Sequence, residues 1–282
     1  MFDLFKNNKT NGGCFVLFDI GGTKMRVAAS FDGEKIGKTA EAETPKDFAS
    51  GVSLFSKLVA EVAGGRKISR GGGGIAGILS KDHASLFRSP NLPGWDGASV
   101  KAEFSRVLDG APVLIENDAA LACLAEATLG AGRGAPIVAY FTLSTGIGGA
   151  RAVNGRIDSK VFGFEPGHQI ITDDGRDLES HASGGALSRE FGNLSEAKDE
   201  HIYDKPVSLI ARGIYNSILL WSPDVVVLGG PLILGAHPIP FEKISEELHK
   251  LPRIFPELPE IKKAALGNEA GILGALLALK SN

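Results

Sequence analysis

The segment Val16-Leu17-Phe18-Asp19-Ile20-Gly21-Gly22-Thr23-Lys24-Met25-Arg26-Val27-Ala28 restricts this chain more than any other. An apolar strand ends in an Asp, turns on two glycines and a Thr-Lys pair, and leaves as a second strand. Glycines let the backbone approach a bulky anion and present N–H groups to it, while Thr23 and Lys24 add a hydroxyl and a positive charge. The pattern reads as a phosphate loop set in a β-hairpin. The strand-to-helix kind of loop is excluded, because no G-x-x-x-x-G-K-[ST] occurs and the residues after Lys24 alternate like a strand. Asp19 then stands where a Mg²⁺ carried by the same phosphates needs an oxygen ligand. An ordinary hairpin whose Asp bonds its own turn also fits this stretch.

The pattern occurs twice. Ile137 to Leu143 is a second apolar strand that runs into Ser144-Thr145-Gly146-Ile147-Gly148-Gly149 and leaves as Ala150-Arg151-Ala152-Val153 toward an Asn154-Gly155 hairpin turn. Two related lobes, each holding a phosphate loop and facing one another across a cleft, are expected. The length permits this: 282 residues, 43% hydrophobic, suffice for two packed lobes, since single cores stop growing at about 250 to 300 residues. A net charge of −3, from 30 basic and 33 acidic residues without long runs, gives no general attraction to nucleic acid or an anionic membrane. Small-molecule partners are expected. With only Cys14 and Cys123 there is no disulfide framework and no Cys-rich metal site. No stretch approaches the roughly 20 apolar residues of a membrane span, and Met1 to Thr10 lacks the apolar core of a signal peptide. A reducing, cytoplasmic setting is expected.

Between the two loops, Phe31-Asp32-Gly33-Glu34 signals a turn, with a third strand expected around Lys35 to Ala40. Pro45 is expected to open a helix whose Phe48, Val52, Phe55, Val59 and Val62 share one face, and Gly64-Gly65 to stop it. Gly71 to Leu79 reads as a Gly-rich turn into a short strand and a tight bend. In Pro90-Asn91-Leu92-Pro93-Gly94-Trp95, Asn91 offers a donor and an acceptor and Trp95 an aromatic wall, a pairing suited to a sugar; a purely structural turn is the alternative. Val100, Phe104 and Val107 mark a helix, and Pro112 to Ile115 a buried strand.

That strand delivers Glu116-Asn117-Asp118 into a helix from Ala119 to Leu129. Strand ends that feed helix starts are where α/β proteins place catalytic groups, although an Asp there also serves as a helix cap. Farther on, Glu165 and His168 in Gly163-Phe164-Glu165-Pro166-Gly167-His168, with Glu179, offer donors and acceptors to several hydroxyls; a solvated loop is the alternative. A helix from about Ser180 through Phe191 is expected, then an apolar helix from Val207 to Trp221 and a buried strand from Asp224 to Leu228. That strand ends in Gly229-Gly230-Pro231, where a flat ring can lie against glycine backbone. Phe241, Ile244 and Leu248 mark a helix, and Pro252, Pro256 and Pro259 a loop. A last helix from Glu269 to Leu279, with Ala270, Leu273 and Leu277 on one face, is expected to dock on a lobe.

Taken together, Asp-Ile-Gly-Gly-Thr-Lys, Asn-Leu-Pro-Gly-Trp, Glu-Asn-Asp-Ala, Ser-Thr-Gly-Ile-Gly-Gly, Glu-Pro-Gly-His and Val-Leu-Gly-Gly resemble the ROK family (repressors, open reading frames and kinases) from Asp19 to Leu279. The resemblance implies an α/β, two-lobed, actin-like and hexokinase-type (ribonuclease H-like) ATPase fold with a central cleft. The lobes are expected as residues 1–117 and 118–267, with the helix at 268–282 returning to the first. It implies Asp118 as catalytic base and Asn91, Asn117, Glu165, His168 and Glu179 as sugar ligands. Asp19, Gly21, Gly22, Thr23 and Lys24, with Ser144, Thr145, Gly146 and Gly148, would hold the donor phosphates, and Gly229 and Gly230 the nucleoside. ATP with Mg²⁺ is the expected donor, polyphosphate the alternative. The chain departs from most of the family in one respect: no Cys-rich zinc motif separates His168 from Glu179. In this it resembles the zinc-free branch of polyphosphate and ATP glucokinases, and no structural zinc is expected. A homodimer is implied; DNA binding is not, since about a dozen residues precede the first strand.

The expected reaction is phosphoryl transfer to a hexose, most readily glucose at O6, with Asp118 accepting the hydroxyl proton and sugar binding closing the lobes against water. Kinases of N-acetylmannosamine, N-acetylglucosamine or fructose, a polyphosphate-dependent glucokinase and a sugar sensor without turnover are the rival readings.

Overall fold

The computed structural model describes residues 12–194 and 200–281. The readings of Met1 to Thr10 and of Asn282 therefore lie outside the described residues. By their contacts the residues fall into two units: Met1–Ala125 with Ser159–Gly163 and Glu269–Asn282, and Glu126–Asp158 with Phe164–Asn268.

The first unit is built on β1 (Cys14–Ile20), β2 (Lys24–Ser30), β3 (Thr39–Glu43), β4 (Ile68–Ile75) and β7 (Val113–Asn117), in the order β3-β2-β1-β4-β7. β1 runs antiparallel to β2 and parallel to β4, which is parallel to β7. A small hairpin, β5 (Ile78–Leu79) and β6 (Leu86–Arg88), lies beside them. Helices α1 (Phe48–Ala63) and α2 (Val100–Val107) bring Phe55 and Phe104 onto Phe18 of β1. Their rings meet edge-on at 5.4 and 5.2 Å, and Phe55 stacks on Phe104 at 4.1 Å. Such aromatic pairs add about 0.5–1.5 kcal/mol each beyond the area they bury.

The second unit repeats the plan. β8 (Ile137–Leu143), β9 (Ile147–Val153), β10 (Arg156–Ile157), β11 (Val225–Gly229) and β12 (Glu260–Lys263) take the order β10-β9-β8-β11-β12. β8 is antiparallel to β9 and parallel to β11, and β11 is parallel to β12. Strand for strand, the senses match the first sheet, so the repeated sequence pattern is a repeated fold. The unit also holds most of the remaining helices: α4 (Leu178–Ala182), α5 (Gly184–Phe191), α6 (Asp204–Trp221), α7 (Pro231–Leu234) and α8 (Phe241–His249). Helix α3 (Asp118–Thr128) follows β7, and α9 (Ala270–Ser281) packs on β4 and β1.

Several sequence expectations are corrected. The third strand begins at Thr39, because residues before it are held in a turn: Asp32 Oδ1 accepts the N–H groups of Glu34 and Lys35, and Gly33 has φ +73°. Helix α1 starts three residues after Pro45, where Asp47 Oδ1 accepts the Ser50 N–H as N-cap. Gly71 to Gly74 are not a turn but the middle of β4, fully buried. A Cβ on Gly72 would lie 2.7 Å from the Leu279 side chain, and one on Gly74 would lie 2.8 Å from the Asp118 Cα. The bare strand thus lets α9 and the start of α3 come close. The expected helix from Ser180 through Phe191 is two helices, because Ser183 is extended (φ −74°, ψ 159°) and its side chain caps α5. Strand β12 begins directly after Pro259, past the proline-punctuated loop, in a stretch for which no element is expected from the sequence. On α9 the buried face carries Ala270, Gly274, Ala275 and Ala278 rather than Leu273 and Leu277.

Candidate active site

In the first unit, β1 carries Asp19 to its penultimate position, and the chain turns over Gly21, Gly22 and Thr23 into β2. The Gly21 N–H donates to the Lys24 carbonyl at 2.9 Å, and the Thr44 N–H donates to the Thr23 carbonyl at 2.9 Å. Thr44 Oγ1 donates to the Gly21 carbonyl and Lys46 Nζ to the Gly22 carbonyl, both at 2.8 Å. The turn is thus closed by groups other than the Asp19 carboxylate. Sequence reasoning missed Thr44 and Lys46, which lie 23 and 24 residues away from the carbonyls they hold. Lys24 extends to Glu41 Oε1 at 3.0 Å on the exposed side of the hairpin. Asn91 packs under the turn, since a Cβ on Gly22 would lie 2.5 Å from the Asn91 Cβ.

Two carboxyls share this end of the sheet. Burial pushes the Asp19 carboxyl up to about 7, the charge of Asp118 adds to the shift, and Arg26 opposes it. Helix α9 crosses at Gly271, where a Cβ would lie 2.6 Å from Asp19 Oδ2. Asp118 is the first residue of α3, and burial raises its carboxyl too, against the backbone N–H of Ala119, which donates to Oδ1 at 2.9 Å. The helix cap is the residue before it: Asn117 Oδ1 accepts the Ala120 N–H at 3.1 Å while Nδ2 donates to the Gly77 carbonyl at 3.2 Å. The capping function weighed for Asp118 therefore belongs to Asn117, and Asn117 spends one donor and one acceptor on structure. Glu116 Oε1 accepts the Asn117 N–H at 2.7 Å, and Glu116 Oε2 lies 2.9 Å from Lys160 Nζ.

Trp95 is not a wall for a ligand. It is wholly buried in the first unit, its Nε1–H donates to the Pro45 carbonyl at 3.1 Å, and its ring meets Phe48 edge-on at 5.2 Å. An indole needs a partner for its N–H once buried, and the Pro45 carbonyl supplies it.

In the second unit the loop of Ser144, Thr145 and Gly146 is buttressed from two sides. The N–H groups of Gly184 and Gly185 at the start of α5 donate to the carbonyls of Ser144 and Thr145 at 2.7 and 3.0 Å. Glu179 Oε2 accepts the Ile147 N–H at 2.7 Å, and a Cβ on Gly146 would lie 2.6 Å from that oxygen. Glu179 is thus a support of this loop. Gly148 continues the loop into β9. The turn bearing Glu165 and His168 packs on the same strand: a Cβ on Gly149 would lie 2.6 Å from Pro166, and Gly167 sits against the Ile147 carbonyl. His168 Nδ1 lies 2.7 Å from Asp177 Oδ2. Burial pulls the imidazolium down, but the Asp177 hydrogen bond and the charges of Glu179, Asp177 and Glu165 outweigh it and raise the His168 pKa. The structure therefore brings Glu165, His168 and Glu179 together. It adds Asp177, visible in the sequence only as an Asp-x-x-Ser cap, which it also is: Asp177 Oδ1 accepts the Ser180 N–H at 2.8 Å. Gly229 ends β11, where a Cβ would lie 2.6 Å from Tyr140 Oη, and Gly230 has φ +87° against the Leu143 carbonyl. Only glycine fits there without strain.

Two mixed sheets of one plan, each opening on a glycine-rich hairpin loop, define a two-lobed protein of the actin-like ATPase fold. The sequence from 16 to 282 matches the ROK family model, and the chain belongs to the ROK family. It is 27% identical to a glucokinase of Thermotoga maritima over 93% of this chain and 96% of the relative. It is 29% identical to an N-acetyl-D-glucosamine kinase of Pectobacterium carotovorum over 92% and 97%. Among solved structures, the ROK hexokinase of Thermus thermophilus superposes with a TM-score of 0.78 at 29% identity, over 95% of this chain and all of that one. The inorganic polyphosphate/ATP-glucomannokinase of Arthrobacter sp. strain KM gives 0.71 at 29% identity, over 95% and 98%. The chain is accordingly a hexose kinase, a phosphotransferase with an alcohol group as acceptor.

Proposed function

We propose that this kinase phosphorylates glucose at O6 with ATP as donor. The observation that carries the reading is Asp118: a carboxyl at a strand end, raised by burial and relieved of capping duty by Asn117. A carboxylate so placed accepts the proton of an attacking hydroxyl, and burial brings its basicity closer to the working pH. Glu165 and His168 hold sugar hydroxyls, with Asp177 fixing the imidazole, while Asn91 adds an amide. Asn117 and Glu179 act chiefly by shaping the strand end and the second loop. The turn at Gly21–Lys24 and the loop at Ser144–Gly148 hold the donor phosphates, and Gly229 and Gly230 receive the nucleoside.

The residues fit a divalent cation. Burial and the charge of Asp118 both raise the Asp19 carboxyl, and a Mg²⁺ would relieve that repulsion. When bound, Mg²⁺ with the donor neutralises charge on the transferred phosphoryl group. Asp19 is the residue that would hold it.

Support for glucose comes from the relatives named glucokinase; those named N-acetyl-D-glucosamine kinase support the second reading. For the donor, the absence of any basic run in the sequence favours ATP over polyphosphate. We also read the chain as zinc-free. Gly175 turns at φ +78°, Thr172 Oγ1 and the Arg176 N–H donate to Asp174 Oδ1, and Ile170 bridges Asp177, so residues 170–177 close on themselves. A cytoplasmic setting is consistent with two buried cysteines that form no disulfide, and a homodimer with the family resemblance.

A matrix of hexoses and N-acetyl-hexosamines against ATP and polyphosphate, with Mg²⁺, tests this reading by coupled product release. The highest kcat/KM is expected for glucose with ATP. Turnover with polyphosphate and none with ATP would reverse the donor, preference for an N-acetyl-hexosamine would reverse the acceptor, and no turnover on any pair would leave a sugar sensor.

A further inference from the structure

Beside the candidate base, the first unit contains a buried ion pair to which the reaction assigns no part. Lys160 belongs to Ser159–Gly163, a short strap that leaves the second unit after Asp158 and packs with the first. Its Nζ lies 2.9 Å from Glu116 Oε2, with the two side chains only 9% and 11% exposed. The other oxygen, Glu116 Oε1, accepts the N–H of Asn117, the residue that caps α3 and precedes Asp118. His83 approaches the same carboxylate oxygen: its Nδ1 is 3.0 Å from the Ile115 carbonyl and 3.9 Å from Glu116 Oε2. His83 is held at φ +53°, a conformation that costs energy in any residue but glycine. Strained backbone and a desolvated charge pair thus converge on the three residues that deliver Asp118.

Stability alone is a weak reason for such a pair. The desolvation of two charges commonly cancels their attraction, so a buried pair in place of apolar residues brings little net stabilisation. What it does provide is a fixed geometry, because an ammonium and a carboxylate stripped of water tolerate little displacement. A shift of about 1 Å in a catalytic group costs up to about 100-fold in rate.

We propose that Lys160 is a positioning residue for phosphoryl transfer. Through Glu116 it fixes the Asn117 N–H and the end of β7, and so the orientation in which Asp118 meets the sugar hydroxyl. The same strap enters, five residues on, the turn that begins at Glu165. This inference rests on the reading of Asp118 as base.

Steady-state kinetics of Lys160→Met, Lys160→Arg and Lys160→Met with Glu116→Gln, beside Asp118→Asn, test it. Lys160→Met is expected to lower kcat by about 10- to 100-fold with both KM values within about twofold of the parent. Lys160→Arg, which keeps the cation, is expected to recover most of that loss. The double variant leaves no charge stranded but no anchor either, so it is expected to fold and remain slower than the parent; it carries the test if Lys160→Met does not fold. Parental kcat in Lys160→Met or in the double variant overturns the proposal. So does a loss confined to KM, or a loss of kcat that Arg fails to recover in a folded protein. Asp118→Asn separates the two claims: if it keeps activity, the base assignment fails and the proposal with it, whereas parental kcat in the Lys160 variants beside a slow Asp118→Asn overturns the proposal alone.

Discussion

The Asp19 carboxyl is raised by burial, and its shift has a direct consequence for stability. Its pKa rises from 3.8 to about 7 on folding. A carboxyl raised in this way favours the folded state while it is protonated; its contribution is full below pH 4 and is lost as pH climbs through about 7. We therefore expect the thermal midpoint of the ligand-free protein to fall between pH 5 and pH 8, with the fall reduced in Asp19→Asn. Equal slopes in parent and variant would show that the Asp19 charge is already compensated. At this scale the sequence discloses types better than duties. The Glu-Asn-Asp run is conspicuous, yet which of Asn117 and Asp118 caps α3 depends on one residue of helix register, and propensity allows either. His168 is legible as a polar group on a turn. Its partner Asp177 is not, because a residue nine positions away is brought to it by a bend that local patterning does not encode.

Among the elements, β4 departs most from its sequence. Four consecutive glycines suit a turn by propensity, since glycine weakens a strand by giving it no side chain to pack. Here the neighbours decide: Leu108, Leu279, Phe18 and Asp118 fill the spaces above and below the strand. The two sites with the sharpest contrast are Gly72, which faces the flexible end of Leu279, and Gly74, which faces the backbone of Asp118. Gly72→Ala is expected to be absorbed by rotation of Leu279 at a cost below about 1.5 kcal/mol. Gly74→Ala has no such escape and is expected to cost about 1–3 kcal/mol and to lower kcat, since the helix start must shift. Denaturant midpoints and kcat for the pair would check this, and equal effects in both would refute it. Where packing follows one side-chain period the elements were legible: α1, α2, β7, β8 and α8 lie where their apolar spacing puts them. The break at Ser183 has a local signal, a cap former followed by Gly184 and Gly185, which the expectation of one continuous helix leaves unused.

At the scale of the whole molecule, one pattern found twice in the sequence became one sheet plan found twice in the fold, with matching strand order and sense. That correspondence is legible because a strand, a glycine-rich turn and a returning strand are local. The placement of α9 on β4 and β1 was legible only as an apolar helix in need of a surface, since contacts between positions near 72 and 279 have no local signal. The account as a whole rests on Asp118 as the base of a hexose kinase, and Asp118→Asn tests it most directly. The amide preserves the shape of the side chain and cannot take a proton. Glucose affinity measured by calorimetry is expected to stay within a few-fold of the parent, while kcat falls by about 10² to 10⁴. Near-parental kcat in a folded Asp118→Asn protein would contradict the assignment.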